Sequence, residues 1–272
     1  MNRKMRIFFI YLVLIVITLI AISPFYFMII MSTYRTQDLG RAASLMPGTY
    51  FLNNLHNVLQ SGFLFYYWNS VYVAVIFTFM SVLLSAMAGY GFAKFNFKLN
   101  KPLHTFVVGA MMIPAQLGLI GYVIEMRVLH MGGTHWPIIL GDIATCFGVF
   151  WMTQYISGAL PNEVLESARI DGCGEWRIFL RIALPYSSPA MATLAIIQFV
   201  FSWNNYLRPL VTLTDPDQYT IPLGIASLAT RYMTDYAAQI TALSLGTIPL
   251  IIVFLCGSRT FIMGLTSGAV KG

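Results

Sequence analysis

Residues 161–182 read PNEVLESARIDGCGEWRIFLRI. Seven charges fall in these 22 residues: Glu163, Glu166, Arg169, Asp171, Glu175, Arg177 and Arg181. The rest of the chain is sparsely charged, with 16 basic and 10 acidic residues in its whole length. Apolar positions recur in the segment at helical spacing. Val164, Leu165 and Ala168 share one face, and Trp176, Phe179, Leu180 and Ala183 share another. Between them lies Asp171-Gly172-Cys173-Gly174, whose glycines end one helix and permit a sharp turn into the next. Pro161 suits the first turn of the first helix, and Pro185 is expected to stop the second. The pattern predicts a hairpin of two short amphipathic helices over 161–185.

The surroundings of this hairpin are apolar. The 272 residues are 58% hydrophobic and 10% charged, against about 25% charged in an ordinary soluble domain. Mean hydropathy is +0.72. So few charges do not cover the surface of a soluble protein this size, and an exterior facing lipid is the remaining solution. Six apolar runs have the length of a helical span: Ile7–Met31, Trp68–Phe92, Leu103–Ile124, Pro137–Ser157, Tyr186–Leu207 and Ile240–Ile262. The first is longer than a signal-peptide core and lacks a small-x-small cleavage site, which favours a retained span. The expected fold class is therefore all-α, a polytopic membrane protein with six transmembrane helices.

Basic residues set the orientation. With both ends in the cytoplasm, that side holds 11 of them (Arg3, Lys4, Arg6, Lys94, Lys98, Lys101, Arg169, Arg177, Arg181, Arg259 and Lys271) and the other side 5 (Arg35, Arg41, Arg127, Arg208 and Arg231). The net charge of +6 is thus spent on short clusters between apolar runs, which argues against nucleic acid as a partner. This topology puts the hairpin in the cytoplasm. An amphipathic hairpin there either lies on the membrane surface or docks on a protein. Mixed charge signs and a glycine turn that projects away from the bilayer favour docking.

Other chemistry is thin. Cys146, Cys173 and Cys256 are scattered, with no metal-ligand spacing, so no metal is expected. His56, His104, His130 and His135 form no paired-ligand pattern, and no nucleophile-elbow motif appears. An outer loop with Asn53, Asn54, His56 and Asn57 beside Phe63, Phe65, Tyr66 and Tyr67 reads either as an interfacial aromatic belt or as a sugar-binding surface. Polar residues inside spans are functional candidates. Gln198, Asn204 and Asn205 in the fifth run and Gln116 in the third suit hydroxyl pairs, and Trp203 suits the apolar face of a sugar. Interhelical hydrogen bonding is the alternative for each. Asp142 and Glu125 are expected near the outer interface, too widely spaced for a proton relay.

The spacing Glu166-Ser167-Ala168, three residues, Gly172, nine residues, Ile182-Ala183-Leu184-Pro185 resembles the EAA loop of bacterial ABC importer permeases, with Ser167 where the first alanine is usual. Asn69-Ser70, Met112-Ile113-Pro114, Ser202-Trp203-Asn204-Asn205, Tyr219-Thr220-Ile221-Pro222-Leu223-Gly224 and Gly268-Ala269-Val270-Lys271-Gly272 are similar to the carbohydrate branch, nearest the maltose-type second permease subunit. The resemblance covers nearly the whole chain. It implies a type I ABC importer permease fold, a single permease domain over 1–272 and a bacterial cytoplasmic membrane location. It implies as partners a second homologous permease, two cytoplasmic ATPase subunits and an extracytoplasmic sugar-binding protein. ATP and Mg belong to the ATPase subunits; no GxxxxGK[ST] occurs here, so the chain is expected to be no enzyme and to hold no cofactor. The resemblance assigns ATPase coupling to Glu163, Glu166, Ser167, Ala168, Asp171, Gly172 and Arg177: Glu166 as an ion-pairing contact, Ala168 as close-packed surface, Gly172 as the turn. It implies a translocation path for a di- or oligosaccharide, for which Gln116, Gln198, Trp203, Asn204 and Asn205 are the candidate lining residues, with the partner permease expected to hold most of the sugar. A polyol or glycerol phosphate is the alternative cargo. An ion-coupled secondary transporter would need buried carboxylates and an inverted repeat, and neither is evident.

Overall fold

A computed structural model of the chain describes residues 3–41, 46–231 and 235–269, without the side chains of 41, 229–231 and 259–269. Arg41, Arg231, Arg259 and Lys271, used above for orientation, and the Gly268–Gly272 run lie outside the described side chains. All regular structure among the described residues is helical, as the apolar composition requires.

Among the described residues three helices are long and apolar enough to cross a membrane: α1 (Arg3–Met31), α3 (Phe63–Lys94) and the stretch Tyr236–Ser258 of α14 (Tyr236–Ala269), with α2 (Phe51–Gln60) preceding α3. The other predicted spans are broken. In the third, α4 (Asn100–Ala110) and Ala115–Val128, which contains α5 (Leu119–Val128), are bent by 92°. Pro114 lacks the amide that would continue the helix and restricts the residue before it. The fourth, expected as one run over Pro137–Ser157, is α6 (Trp136–Leu140) followed after a gap by the 14-residue α7 (Cys146–Ala159). Thr145 caps α7, its hydroxyl accepting from the Gly148 amide at 2.9 Å. After α8 (Asn162–Ile170), the predicted fifth span is approached by a continuous rod. It comprises α9 (Glu175–Ile178), the π-helical Phe179–Ala183 and α10 (Leu184–Tyr186). A 76° bend then leads into α11 (Ser188–Trp203). Pro185 does not stop the second hairpin helix as expected. It lies within the rod, behind the π-helical turn, and the break comes two residues later, at Ser187. Counting each bent pair as one span gives up to five.

The chain forms two compact units. One comprises residues 1–65 and 223–249, including most of α13 (Ile221–Arg231). Within it, the stretch read as an Asn-rich outer loop is the helix α2, and Asn54 is buried. Its amide donates to the carbonyls of Ser32 and Tyr34, both at 2.8 Å, closing the end of α1. Asn54 is therefore structural.

The other unit comprises residues 66–222 and 250–272. Its core joins Val82, Ala86 and Tyr90 of α3, Met152 and Ile156 of α7, Leu165 and Ala168 of α8, Ile178 and Phe179 of the rod, and Ala190 and Leu194 of α11. Helices α3 and α7 meet at Gly89. A Cβ there would lie 2.6 Å from Met152 Cβ and 2.9 Å from the Thr153 amide nitrogen. Small residues of this kind let membrane helices approach backbone to backbone. Gly89→Ala should therefore lose about 1–3 kcal/mol through overpacking, whereas Gly91→Ala, with nothing within 4 Å of its Cβ, should not. Thermal unfolding of the two variants in detergent distinguishes them.

Candidate coupling hairpin and translocation cleft

The hairpin over 161–185 is built by local rules. Asp171, Gly172 and Cys173 end α8: Gly172 has φ +78°, its amide donates to Arg169 O at 3.0 Å, and the Cys173 amide donates to Ala168 O at 3.0 Å. These paired bonds form a Schellman cap, which needs the left-handed conformation glycine adopts freely. Across the turn, Arg169 Nε donates to Glu175 Oε1 at 2.6 Å and Nη2 to Oε2 at 3.3 Å, so the two arms are clamped by a forked ion pair. Lys94, at the end of α3, donates to Leu160 O at 2.6 Å and to Asn162 Oδ1 at 2.9 Å, fixing the base.

The hairpin has an inner and an outer face. Leu165, Ala168, Ile178 and Phe179 are buried in the core. Ala168, expected on the docking surface, therefore packs inside its own chain. Glu163, Glu166, Ser167, Asp171, Gly172 and Arg177 are exposed. Glu166 makes no ion pair among the described residues, because Arg169, its partner at helical spacing, is taken by Glu175. Two outer apolar residues are not among the predicted coupling residues, although the sequence places Trp176 on an apolar helix face. Ile170 is 86% exposed and Trp176 is 61% exposed. Their apolar character in a charged, exposed hairpin was the available signal.

The polar residues of the predicted path separate. Gln198 is buried and donates to Thr145 Oγ1 at 3.3 Å, which ties α11 to the start of α7. Trp203 is buried, stacked on Phe199 at 5.5 Å and edge-on to Tyr67 at 5.9 Å, so its faces serve packing rather than an open surface. Asn204 and Asn205 lie just beyond α11, in the break before α12 (Leu207–Thr212) rather than within a span. The Asn204 amide donates to Val200 O at 2.9 Å, and Asn205 Oδ1 accepts from the Arg208 amide at 3.3 Å. Gln116 sits in the 3₁₀ turn Ala115–Gly118 that follows the Pro114 bend. The fold brings Gln116, Asn204 and Asn205 to one cleft of about 400 Å³.

Asp142 and Arg208 line the same cleft. Arg208 Nη1 donates to Asp142 Oδ2 at 2.6 Å, and the guanidinium carbon stands 5.2 Å from the centre of the Tyr122 ring. The sequence placed Arg208 in an outer loop and Asp142 at an interface. Their pairing across 66 residues left no sequence signal except that both are charged within apolar surroundings.

Residues 81–262 match the family described as binding-protein-dependent transport system inner membrane component. The chain belongs to that family. Relatives of this permease include the arabinooligosaccharides transport system permease protein AraQ of Halalkalibacterium halodurans. It is 35% identical, over 94% of this chain and 93% of its own. The lactose transport system permease protein LacG of Rhizobium radiobacter is 34% identical, over 96% and 95%. The fold is that of type I ABC importer permeases. A chain of a bacterial ABC transporter involved in import of the acidic polysaccharide alginate superposes with a TM-score of 0.81 at 20% identity, covering 96% of this chain and 99% of its own. The permease is thus a multi-pass membrane protein and a transport subunit.

One histidine of the permease has a defined proton state. His135 is buried; its Nε2 donates to Gln218 O at 2.7 Å, so Nδ1 accepts from the Tyr72 hydroxyl. Both partners suit the neutral ring, and burial pushes the imidazole below its usual range, against a smaller opposing effect of the Gln218 carbonyl. The folded-state pKa is therefore below the unfolded one, near 6.5. The associated stability is complete above that value and is lost as pH falls toward the folded pKa. Thermal stability should fall below about pH 6.5 by at most about 1.4 kcal/mol per pH unit from this group. His135→Gln should remove that component when melting is compared across pH 5–8.

Proposed function

We propose that the chain is one of two homologous permeases forming the path of an ATP-driven importer of di- or oligosaccharides. Its hairpin docks on a cytoplasmic ATPase subunit. The single observation that carries coupling is the hairpin's build: a rigid element packed into the core on one face, with Glu163, Glu166, Ile170 and Trp176 exposed on the other. Exposed aromatic and aliphatic residues ringed by charge are the usual anchors of a protein interface. The cargoes in the relatives' names, arabinooligosaccharides and lactose, support a neutral sugar as solute.

In this reading the 1–272 permease domain crosses the bacterial cytoplasmic membrane six times, both termini inside, with α6 and α7 together contributing the fourth crossing. ATP and Mg bind on two ATPase partners, and a binding protein delivers sugar from outside. Closure of the ATPases moves the hairpins as levers and opens the paired permeases outward.

Co-purification in mild detergent should recover a second permease and the ATPase subunits. The assembly should show vanadate-sensitive ATP hydrolysis stimulated by binding protein loaded with lactose or arabinotriose. A chain that runs alone and accumulates sugar with an ion gradient overturns the reading. The turn gives a sharper check on coupling. Apart from its chain neighbours, no atom of the described residues lies within 4 Å of a Cβ at Gly172, so only its positive φ penalises a side chain, at about 1–2 kcal/mol. Gly172→Val should leave assembly intact but abolish sugar-stimulated hydrolysis, whereas Gly172→Asn, which tolerates that conformation, should retain most of it.

A further inference from the structure

The Arg208–Asp142 pair is built more tightly than a simple strut between helices requires, and it is not saturated. Arg208 is 9% exposed. The Asp142 carboxylate holds its Nη1, the Tyr122 ring lies over its guanidinium, and Gly141 lies under it. A Cβ at Gly141 would stand 2.5 Å from Arg208 Cζ and 2.6 Å from Nε, so residue 141 is open only because it is glycine. Arg208 Nε is buried with no hydrogen-bond partner among the described residues, and Asp142 has no second donor among them. A buried guanidinium with spare N–H groups beside a carboxylate with spare lone pairs is a costly arrangement unless something else completes it.

Cavities flank the pair. The cleft with Gln116, Asn204 and Asn205 measures about 400 Å³; a second, of about 430 Å³, is lined by Tyr122 and Glu125. Both include Asp142 and Arg208. Within the pair the charges cancel, and Glu125, exposed in the second cavity, leaves the local balance negative. Resting on the sugar-import reading, we infer that Arg208 and Asp142 are a solute-reading site of the translocation path, matched to an uncharged polyhydroxylated solute and set against anionic ones. A hydroxyl at the cavity edge of the pair both accepts from a guanidinium N–H and donates to the carboxylate without separating them. A carboxylate or phosphate offers acceptors only. It would have to strip Arg208 from Asp142, both largely shielded from water, and would meet Asp142 and Glu125 as like charges.

The test uses the assembled transporter in proteoliposomes. Cys146, Cys173 and Cys256 are replaced by serine, and Asn204→Cys supplies a reporter thiol in the cleft. A cationic methanethiosulfonate should label that thiol about tenfold faster than an anionic one of similar size. Asp142→Asn and Glu125→Gln, each of which brings the local balance to neutral, should reduce that preference, and Arg208→Gln should widen it. Binding protein carrying lactose or arabinotriose should slow labelling by both reagents, and glycerol 3-phosphate should not. Equal labelling rates unmoved by all three charge variants, with sugar protection retained, overturn this inference and leave a structural strut in a sugar importer. Protection by glycerol 3-phosphate instead of the neutral sugars, or protection by neither, overturns both the inference and the sugar reading.

Discussion

In a membrane each backbone amide and carbonyl has to be satisfied from within the protein, because lipid offers no partner. An unbroken helix meets this demand by itself; every interruption leaves polar groups to be satisfied in another way. Several of the interruptions in this chain coincide with well-placed polar side chains. Asn54 closes the end of α1, and Asn100 donates to Phe92 O at 3.1 Å and Phe95 O at 2.8 Å after α3. Thr145 caps α7, and the Asn204–Asn205 break after α11 is bridged by those two side chains. The same residue types that look like ligand contacts in a linear reading are first the means by which helices stop.

That constraint also explains where the polar side chains gather. Gln116, after the Pro114 bend, and Asn204 and Asn205, which bridge the break after α11, gather at the cleft beside Arg208 and Asp142. Gln198 and Trp203, buried in contacts of their own, do not. A discontinuous helix in a membrane exposes backbone and polar side chains at depth only where a cavity or protein surrounds them. The Pro114 bend and the Asn204 break, brought together in one unit, form such a place.

The hairpin follows a different logic. Its shape rests on caps and a clamp: the Gly172 turn, the Arg169–Glu175 fork and the Lys94 tie. Its inner face is continuous with the core of α3, α7 and α11. Force applied to its outer face therefore reaches the spans through packed side chains rather than through a flexible linker.

By itself the sequence determined the all-α class, the apolar runs and the hairpin with its turn. Each of these is local: composition, a 3.6-residue period and a glycine at a cap act within a few residues. The spacing from Glu166 to Pro185 also sufficed for the family. Tertiary structure decided the rest. It turned Ala168 inward, let the rod run through Pro185 to Ser187, and split the run over Pro137–Ser157 beside Asp142. It also joined Asp142 to Arg208 across 66 residues. The direction of a side chain, the site of a break and the partner of a buried charge depend on which helices meet, and helical periodicity alone does not carry that information.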